Sequence, residues 1–325
     1  MPSRRALAAS LLTLGLAANS LVFAQETYPN KPIRIVVGFA PGGATDVLAR
    51  LLAQEISVTL GQAVYIENRA GANSLIATQL VANAAPDGYT FLFASQSHTV
   101  NPHLLSQPKY DPIKSFDPVM RVAVLPQIVV TAPSNPANTL EDLVAAAKGA
   151  PGKISYGSAG NGGAAHLAGA TLAHRTRTDM VHVPFRGNAP ALVDVMAGNV
   201  SFMFYAMAGI QDYIAQKKLK VLAVAAPTRL KEFPDVPTTK ESGVAGLEAI
   251  TTWLGVFAPA GTPQAAVSRI NEAMQKALEK PAVEARFRSM GALVVGGSPG
   301  TFKSFLVEDN EVWQRVVSDA GLKKE

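Results

Sequence analysis

The sequence predicts an α/β protein divided into two lobes. From Pro32 onward, apolar strand-like runs alternate with stretches whose apolar residues recur at helical spacing, and the alternation starts afresh near residue 126. Strands separated by helices need crossover connections, which favour a mainly parallel sheet with helices on both faces. At 325 residues, 48% apolar and only 16% charged, the chain has the length for two ordinary domains and the material to fill their cores.

The first run reads βαβαβ: "IRIVVGF" as a strand, Val47 to Leu60 as a helix, "AVYIEN" as a strand, a helix from about Ser74 to Ala84, and "YTFLFAS" after the turn "PDG". The second run opens with "QIVVTA" at 127–132. It continues through a helix at Leu140 to Lys148, "KISYGS", a helix from about Ala164, "VHVPF", a helix near Ala189 to Ala197, "SFMFY" and "LKVLAVAA". After "TTWLGVFAPA" the pattern is helical. Thr262 and Pro263 read as N-cap and first-turn proline, Val267, Ile270, Met274 and Leu278 form one stripe, and Pro281 opens another helix. Trp313, Val316 and Val317 mark the buried side of the last helix. The first lobe has few helices after "YTFLFAS", so the tail is expected to return to it. The expected division is 27–125 plus 252–325 for lobe 1 and 126–251 for lobe 2. Two crossings, near 120–126 and 250–258, would then act as a hinge.

Residues 1–24 stand apart. Arg4 and Arg5 precede the apolar run Ala6 to Val22, and "VFA" at 22–24 suits cleavage before Gln25, so this is read as an export signal. "SRRAL" matches part of a twin-arginine pattern, which does not separate the two export routes. The run is short for a membrane span and is broken by Asn19 and Ser20. The chain has no cysteine, which excludes disulfides and lipid attachment through an N-terminal cysteine, and leaves stability to core burial. Cleavage removes two arginines and leaves +3 of the formal +5, a mild excess that suits anions. Basic clusters of the kind nucleic acid requires are missing.

Chemistry concentrates at two glycine-rich turns, "GFAPGGATD" at 38–46 and "ISYGSAGNGGAAH" at 154–166, each running from a strand into a helix. Loops at the carboxyl ends of parallel strands line a crevice, where helix N-termini present unpaired N–H groups and partial positive charge. Gly42, Gly43, Gly160, Gly162 and Gly163 let backbone approach a ligand closely and aim amides at carboxylate oxygens. Neither turn carries the lysine of a phosphate loop. "GNGGAA" satisfies the dinucleotide fingerprint, yet the following strand ends in Pro184, Phe185 and Arg186 where an acid is required. Tyr156 occupies the place a nucleophile elbow gives to glycine, so Ser158 reads as a hydrogen-bond donor before a nucleophile. His98, His103, His166, His174 and His182 match no zinc spacing, so no metal is expected. Asp46 reads first as a residue ordering its helix start, and Arg186 either as the best charged partner for an acid or as a surface arginine. No acid–base or nucleophile constellation remains, and no cofactor is expected.

With these residues in hand, the chain resembles the Bug-type solute-binding receptors of tripartite tricarboxylate transport systems. The resemblance runs from about Tyr28 to the C-terminus through "YPNKPIRIVVGFAPGGATD", "ENRAGAN", "PDGYTFLFAS", "YGSAGNGG" followed by His166 and Leu167, "HVPFRGNAPAL", "LAVAAPTRLKEFPDVPT" and "FAPAGTP". It implies a two-lobed periplasmic binding protein of type II that closes on a small carboxylate through main-chain amides, hydroxyls and bridging waters. Carried over by position, the first gripping loop corresponds to Phe39, Ala40, Gly42, Gly43, Thr45 and Asp46, with Asn73 and then Ser97 and His98 beside it. The second corresponds to Ser158, Gly160, Asn161 and Gly163, with His166 behind it. Family members often carry an aspartate at Tyr205 and a lysine at Arg186. Loss of that acid removes a partner for a ligand ammonium, which implies a plain mono- or dicarboxylate.

The resemblance implies a monomeric transport receptor that hands its ligand to a membrane permease. A sensory subunit contacting a kinase's outer domain would use the same closed form, and pull-down separates the two. An exported α/β hydrolase lacks the base and the elbow it would need.

Overall fold

The computed structural model describes residues 28–207 and 209–319; the predicted export signal lies outside them. Two sheets organise the chain. The first contains β1 (Ile33–Val37), β2 (Val64–Asn68), β3 (Thr90–Ser95), β4 (Phe116–Leu125), β10 (Thr252–Pro259) and β11 (Leu293–Val294), in the order β11-β4-β10-β3-β1-β2. The second contains β5 (Gln127–Thr131), β6 (Ile154–Ser158), β7 (Met180–Pro184), β8 (Phe202–Ala206) and β9 (Lys220–Ala225), in the order β7-β6-β8-β5-β9. The α/β class and the two-sheet plan agree with the sequence. The expected mainly parallel pairing does not: β1 pairs parallel with β2 and β3, and β6 with β7 and β8, whereas β10, β11 and β5 all pair antiparallel. Each antiparallel strand is one that enters or leaves a βα run, and apolar patterning carries no information on its direction.

Helices α1 (Ala44–Leu60), α2 (Leu75–Ala82) and α3 (Ser97–Leu104) follow β1, β2 and β3; α4 (Leu140–Gly149), α5 (Ala164–Thr176), α6 (Asn188–Met196) and α7 (Gln211–Ala215) serve the second sheet. The tail supplies α8 (Gln264–Leu278), α9 (Pro281–Ser289) and α10 (Pro299–Asp319). On one face of the first sheet, Leu48, Leu52 and Ile56 of α1 meet Val267, Ile270 and Met274 of α8 over Ile33, Ile35 and Phe93. On its other face Ala77 and Val81 of α2 and Phe302 and Leu306 of α10 cover Val36, Leu92 and Trp253. The second sheet is likewise covered on both faces, by α4 and α5 on one side and α6 on the other. Thr262 does not cap α8 as the sequence suggested: its hydroxyl donates to the Pro259 carbonyl at 2.7 Å.

The last helix does more than return to the first sheet. At 21 residues it is roughly 30 Å long, and while Phe302 and Leu306 pack on the first sheet, Trp313, Val316 and Val317 join the core of the second. Between them Asp309 accepts hydrogen bonds on one oxygen from Thr99 Oγ1 (2.6 Å), Trp253 Nε1 (2.9 Å) and Trp313 Nε1 (3.1 Å). The chain leaves the first sheet after Leu125 and re-enters it at Thr252, and these two residues are paired in the β4–β10 ladder. Both crossings therefore run side by side. Gln127 Nε2 donates to Thr252 Oγ1 across them at 3.1 Å.

Candidate functional site

The same turn is built once in each sheet. After β1, Gly42 takes φ +85° and Gly43 caps α1 at φ −72°, ψ 162°; after β6, Gly162 takes φ +74° and Gly163 caps α5 at φ −75°, ψ 161°. Positive φ is what glycine supplies at little cost. In each turn the first of the two glycines donates its amide to a side chain four residues on, Gly42 N to Asp46 Oδ2 at 2.9 Å and Gly162 N to His166 Nδ1 at 3.0 Å. The first intrahelical bonds are Val47 N to Gly43 O and Leu167 N to Gly163 O, both 3.0 Å. Amides of Ala44, Thr45, Ala164 and Ala165 thus precede the reach of their own helices.

Those residues line one cavity. Gly43, Ala44 and Thr45 from the first turn and Gly163, Ala164 and Ala165 from the second share a cleft of about 280 Å³. Phe39, Asn73, Ser95, Gln96, Leu125, Gln127, Ala159, Asn188, Phe204, Ala206 and Thr252 complete its wall. No Asp, Glu, Lys, Arg or His is among these residues. Its positive potential comes from two helix N-termini, each equivalent to roughly half an elementary charge, aimed at a space suited to a small anion.

What lies behind the wall holds the turns still. The Asp46 carboxylate also accepts from Asn68 Nδ2 (2.8 Å) and Arg50 Nε (3.0 Å), and Asn68 donates to the Phe39 carbonyl as well. Burial opposes ionisation of Asp46, but the hydrogen bonds from Arg50, Gly42 and Asn68 outweigh it and hold the group below the usual carboxylate range. His166 stacks on His182 at 3.9 Å between ring centroids; burial, reinforced by His182, pushes its pKa down to about 4. A neutral His166 is what accepting the Gly162 amide at Nδ1 requires. On the far wall Ala72, Asn73 and Ser74 all take positive φ, and Asn73 is fixed by Nδ2 donating to Asn101 Oδ1 (3.1 Å) and its carbonyl accepting from Asn101 Nδ2 (2.9 Å).

The family model described as "Tripartite tricarboxylate transporter family receptor" matches residues 48–322. The chain belongs to that family. Its members are periplasmic solute-binding receptors that work with membrane permeases, not enzymes. BugT of Bordetella pertussis is 34% identical over 315 residues, which cover 96% of this chain and 95% of BugT. A solved structure from R. palustris with adipate superposes at a TM-score of 0.82 with 30% identity, covering 92% of this chain and all of that one. MatC of Rhodopseudomonas palustris with bound malate superposes at 0.79 with 32% identity, covering 89% of this chain and all of MatC.

Within this receptor, Phe39, Gly43, Thr45, Asn73 and Gly163 of the residues singled out in the sequence line the cleft. Gly42, Asp46 and His166 stand behind it as the turn supports just described. Ser158 is fully buried, with Oγ between the Gly160 carbonyl (2.9 Å), the Gly160 amide (3.1 Å) and His182 Nε2 (2.7 Å), so it shapes the turn. Ala40, Gly160 and Asn161 belong to the turns and do not line the cavity. The expectation for Ser97 and His98 was two residues too far along: β3 ends at Ser95, and Ser95 and Gln96 face the cleft. Ser97 is buried against Ser95 Oγ at 3.1 Å. His98 is a core residue, stacked 4.2 Å from Phe257, with Nε2 donating to the Pro112 carbonyl at 2.8 Å; burial pushes its pKa down to about 4.

Arg186 is exposed and stands outside the wall, which Asn188 two residues on enters. Tyr205 is on the wrong side of β8. Strand side chains alternate between faces, so with Phe204 and Ala206 toward the cleft, Tyr205 packs on the opposite core. Gln127 and Thr252 were missed altogether. Their signal was positional: both sit where the chain changes sheets.

Proposed function

We propose that the protein is an exported receptor that captures a small mono- or dicarboxylate in the cleft between its two sheets and delivers it to the membrane permease of a tripartite tricarboxylate transporter. One observation carries this reading: two helix N-termini from different sheets open onto one cavity whose wall holds no charged side chain. A carboxylate satisfies amides of both α1 and α5. An ammonium group would meet only their positive ends, so an amino acid is disfavoured against its deaminated analogue.

In this proposal residues 27–125 with 252–325 form one lobe and 126–251 the other, after removal of 1–24, with Trp313, Val316 and Val317 near the end of α10 packed across onto the second lobe. The adjacent crossings at Leu125–Gln127 and Ile250–Thr252 are the hinge. Closure about them brings the two turns onto one ligand, and the permease senses the closed form. The cavity's size lies near the lower end of small-molecule sites, about 300–1,000 Å³, which suits a small acid. The test is a thermal-shift screen of linear and aromatic carboxylic acids against matched amino acids and amides. Stabilisation by a carboxylate and none by its amide supports the proposal; tighter binding of an amino acid than of its deaminated analogue overturns it.

A further inference from the structure

Helix α3 belongs to the first sheet by its connections and reaches the second by its packing. Ser95 and Gln96, immediately before it, stand in the cleft wall. Thr99 Oγ1 donates to Asp309 of α10 at 2.6 Å, and Val100 is buried in the core of the second sheet together with Ala165 and Ala168 of α5. Asn101 exchanges two hydrogen bonds with Asn73 on the far wall. Leu104, the last residue of the helix, packs on the second core and lies against the turn at Gly162, where a Cβ would stand 2.5 Å from Leu104 Cδ1. Glycine at 162 is thus required twice, for its φ of +74° and for this approach. Leu104 does not itself line the cleft.

The helix is braced where it would otherwise be weak. Pro102 lacks the N–H that would bond the His98 carbonyl one turn back. Tyr110 Oη donates to that carbonyl instead at 2.8 Å, and His98 Nε2 donates to the Pro112 carbonyl at 2.8 Å. One end of α3 is therefore fixed to the first sheet and the other to the second gripping turn. Gly162 follows β6, which lies two strands across the second sheet from the crossing strand β5, a lever arm of roughly 10 Å.

We infer that α3 is a crossbar that sets the spacing of the two gripping turns before a ligand enters, with Leu104 as its positioning residue. The inference rests on the carboxylate reading above for what the cleft holds, and not for how the cleft is held. The hinge crossings fix where the lobes meet; the seat of Leu104 on Gly162 limits the angle between them. A ligand that needs amides from both turns binds only receptors whose turns stand at the right distance, and its measured affinity falls with that fraction.

The chain has no cysteine, so Val58→Cys on α1 and Val193→Cys on α6, both exposed, give one pair of spin labels whose separation reads the angle between the lobes. In this background Leu104→Ala should lengthen the distance in the ligand-free protein and weaken the Kd for the tightest carboxylate of the screen on the order of tenfold. Saturating ligand should restore the distance. Leu104→Met keeps the reach of the side chain and should match the parent in both measurements. Circular dichroism establishes that each variant is folded, and Leu104→Val takes the place of an unfolded alanine variant. If the ligand-free distances coincide, if the Kd stays within twofold, or if methionine behaves as alanine does, the inference is wrong while the carboxylate reading stands. If no carboxylate binds the parent protein, the carboxylate reading fails, and the ligand-free distances alone decide the crossbar.

Discussion

Replacing Ala44 or Ala164 by proline removes one cleft-facing amide hydrogen and spares the helix it begins. Both are first residues of their helices, where proline is well tolerated because that N–H has no partner in the helix. A proline also restricts the residue before it to extended geometry. Gly43 at ψ 162° and Gly163 at ψ 161° already have it. Stability should therefore hold or rise by about 0.4–1 kcal/mol, since proline restricts the unfolded chain. Affinity should fall. A hydrogen bond to a charged carboxylate contributes about 1.5–3 kcal/mol, equivalent to a roughly 10- to 150-fold weaker Kd at about 1.4 kcal/mol per decade. The assay is calorimetry with the tightest acid from the screen, alongside urea unfolding of each variant. If both proline variants fold normally and bind within twofold of the unsubstituted protein, the Ala44 and Ala164 amides do not hold the ligand.

Asp46→Ala removes the acceptor for Gly42 and Asn68 and the partner of half-exposed Arg50. With the Arg50 pair discounted for solvent screening, the cost is about 3 kcal/mol at pH 7. Because the folded pKa is depressed, that contribution is complete above the ordinary carboxylate pKa and is lost progressively as pH falls below it through the folded pKa; the gap between the urea midpoints of the two proteins should narrow as pH is lowered from 7 into the acid range, and a constant offset would refute the account. His98, depressed to about 4, binds its proton more readily unfolded, so stability falls as pH drops from about 6.5 toward 4, by about 3 kcal/mol in all. His98→Phe should flatten that limb in urea titrations, after an initial loss for the unpaired Pro112 carbonyl. Asp309 has the opposite sign: burial raises its pKa to about 6, so its favourable state is the protonated one below about 4, and stability is lost as pH rises through 6. Asp309→Asn should gain on the unsubstituted protein between pH 4 and 7 by up to about 3 kcal/mol, read from the same titrations; a constant difference would show that Asp309 does not titrate there.

The two turns were legible in the sequence because glycine is informative in a way most residues are not: a Gly-Gly pair between a strand and a helix signals both positive φ and close approach. The element order was legible for the same kind of reason, apolar periodicity. Misreadings fell where one residue of register decides the outcome. Tyr205 and Phe204 are neighbours of similar character, and only the ladder pairing Gln127 with Ala206 fixes which of them faces the cleft. His98 carries no local mark that its ring belongs among Tyr110, Phe116 and Phe257, since two of those lie on strands brought up from distant sequence. Gln96 was passed over for the same reason. A polar residue after a strand is ordinary in sequence and becomes telling only when the fold places it in the cleft wall.

The two halves share no alignable repeat beyond the glycines, yet their turns agree within a few degrees at Gly43 and Gly163. What the geometry demands at the fourth residue after the donating glycine is an acceptor of short reach, and a carboxylate or a neutral imidazole serves equally. Electrostatically they are not equal. Asp46 sets a negative charge, only partly offset by Arg50, behind the first helix terminus. His166 is neutral above about pH 4 and leaves the second terminus its full positive potential. The α5 turn should therefore hold the carboxylate more strongly, and Ala164→Pro should weaken binding more than Ala44→Pro. An equal or reversed ranking would mean that ligand geometry, not the charge behind each turn, sets the division of the grip.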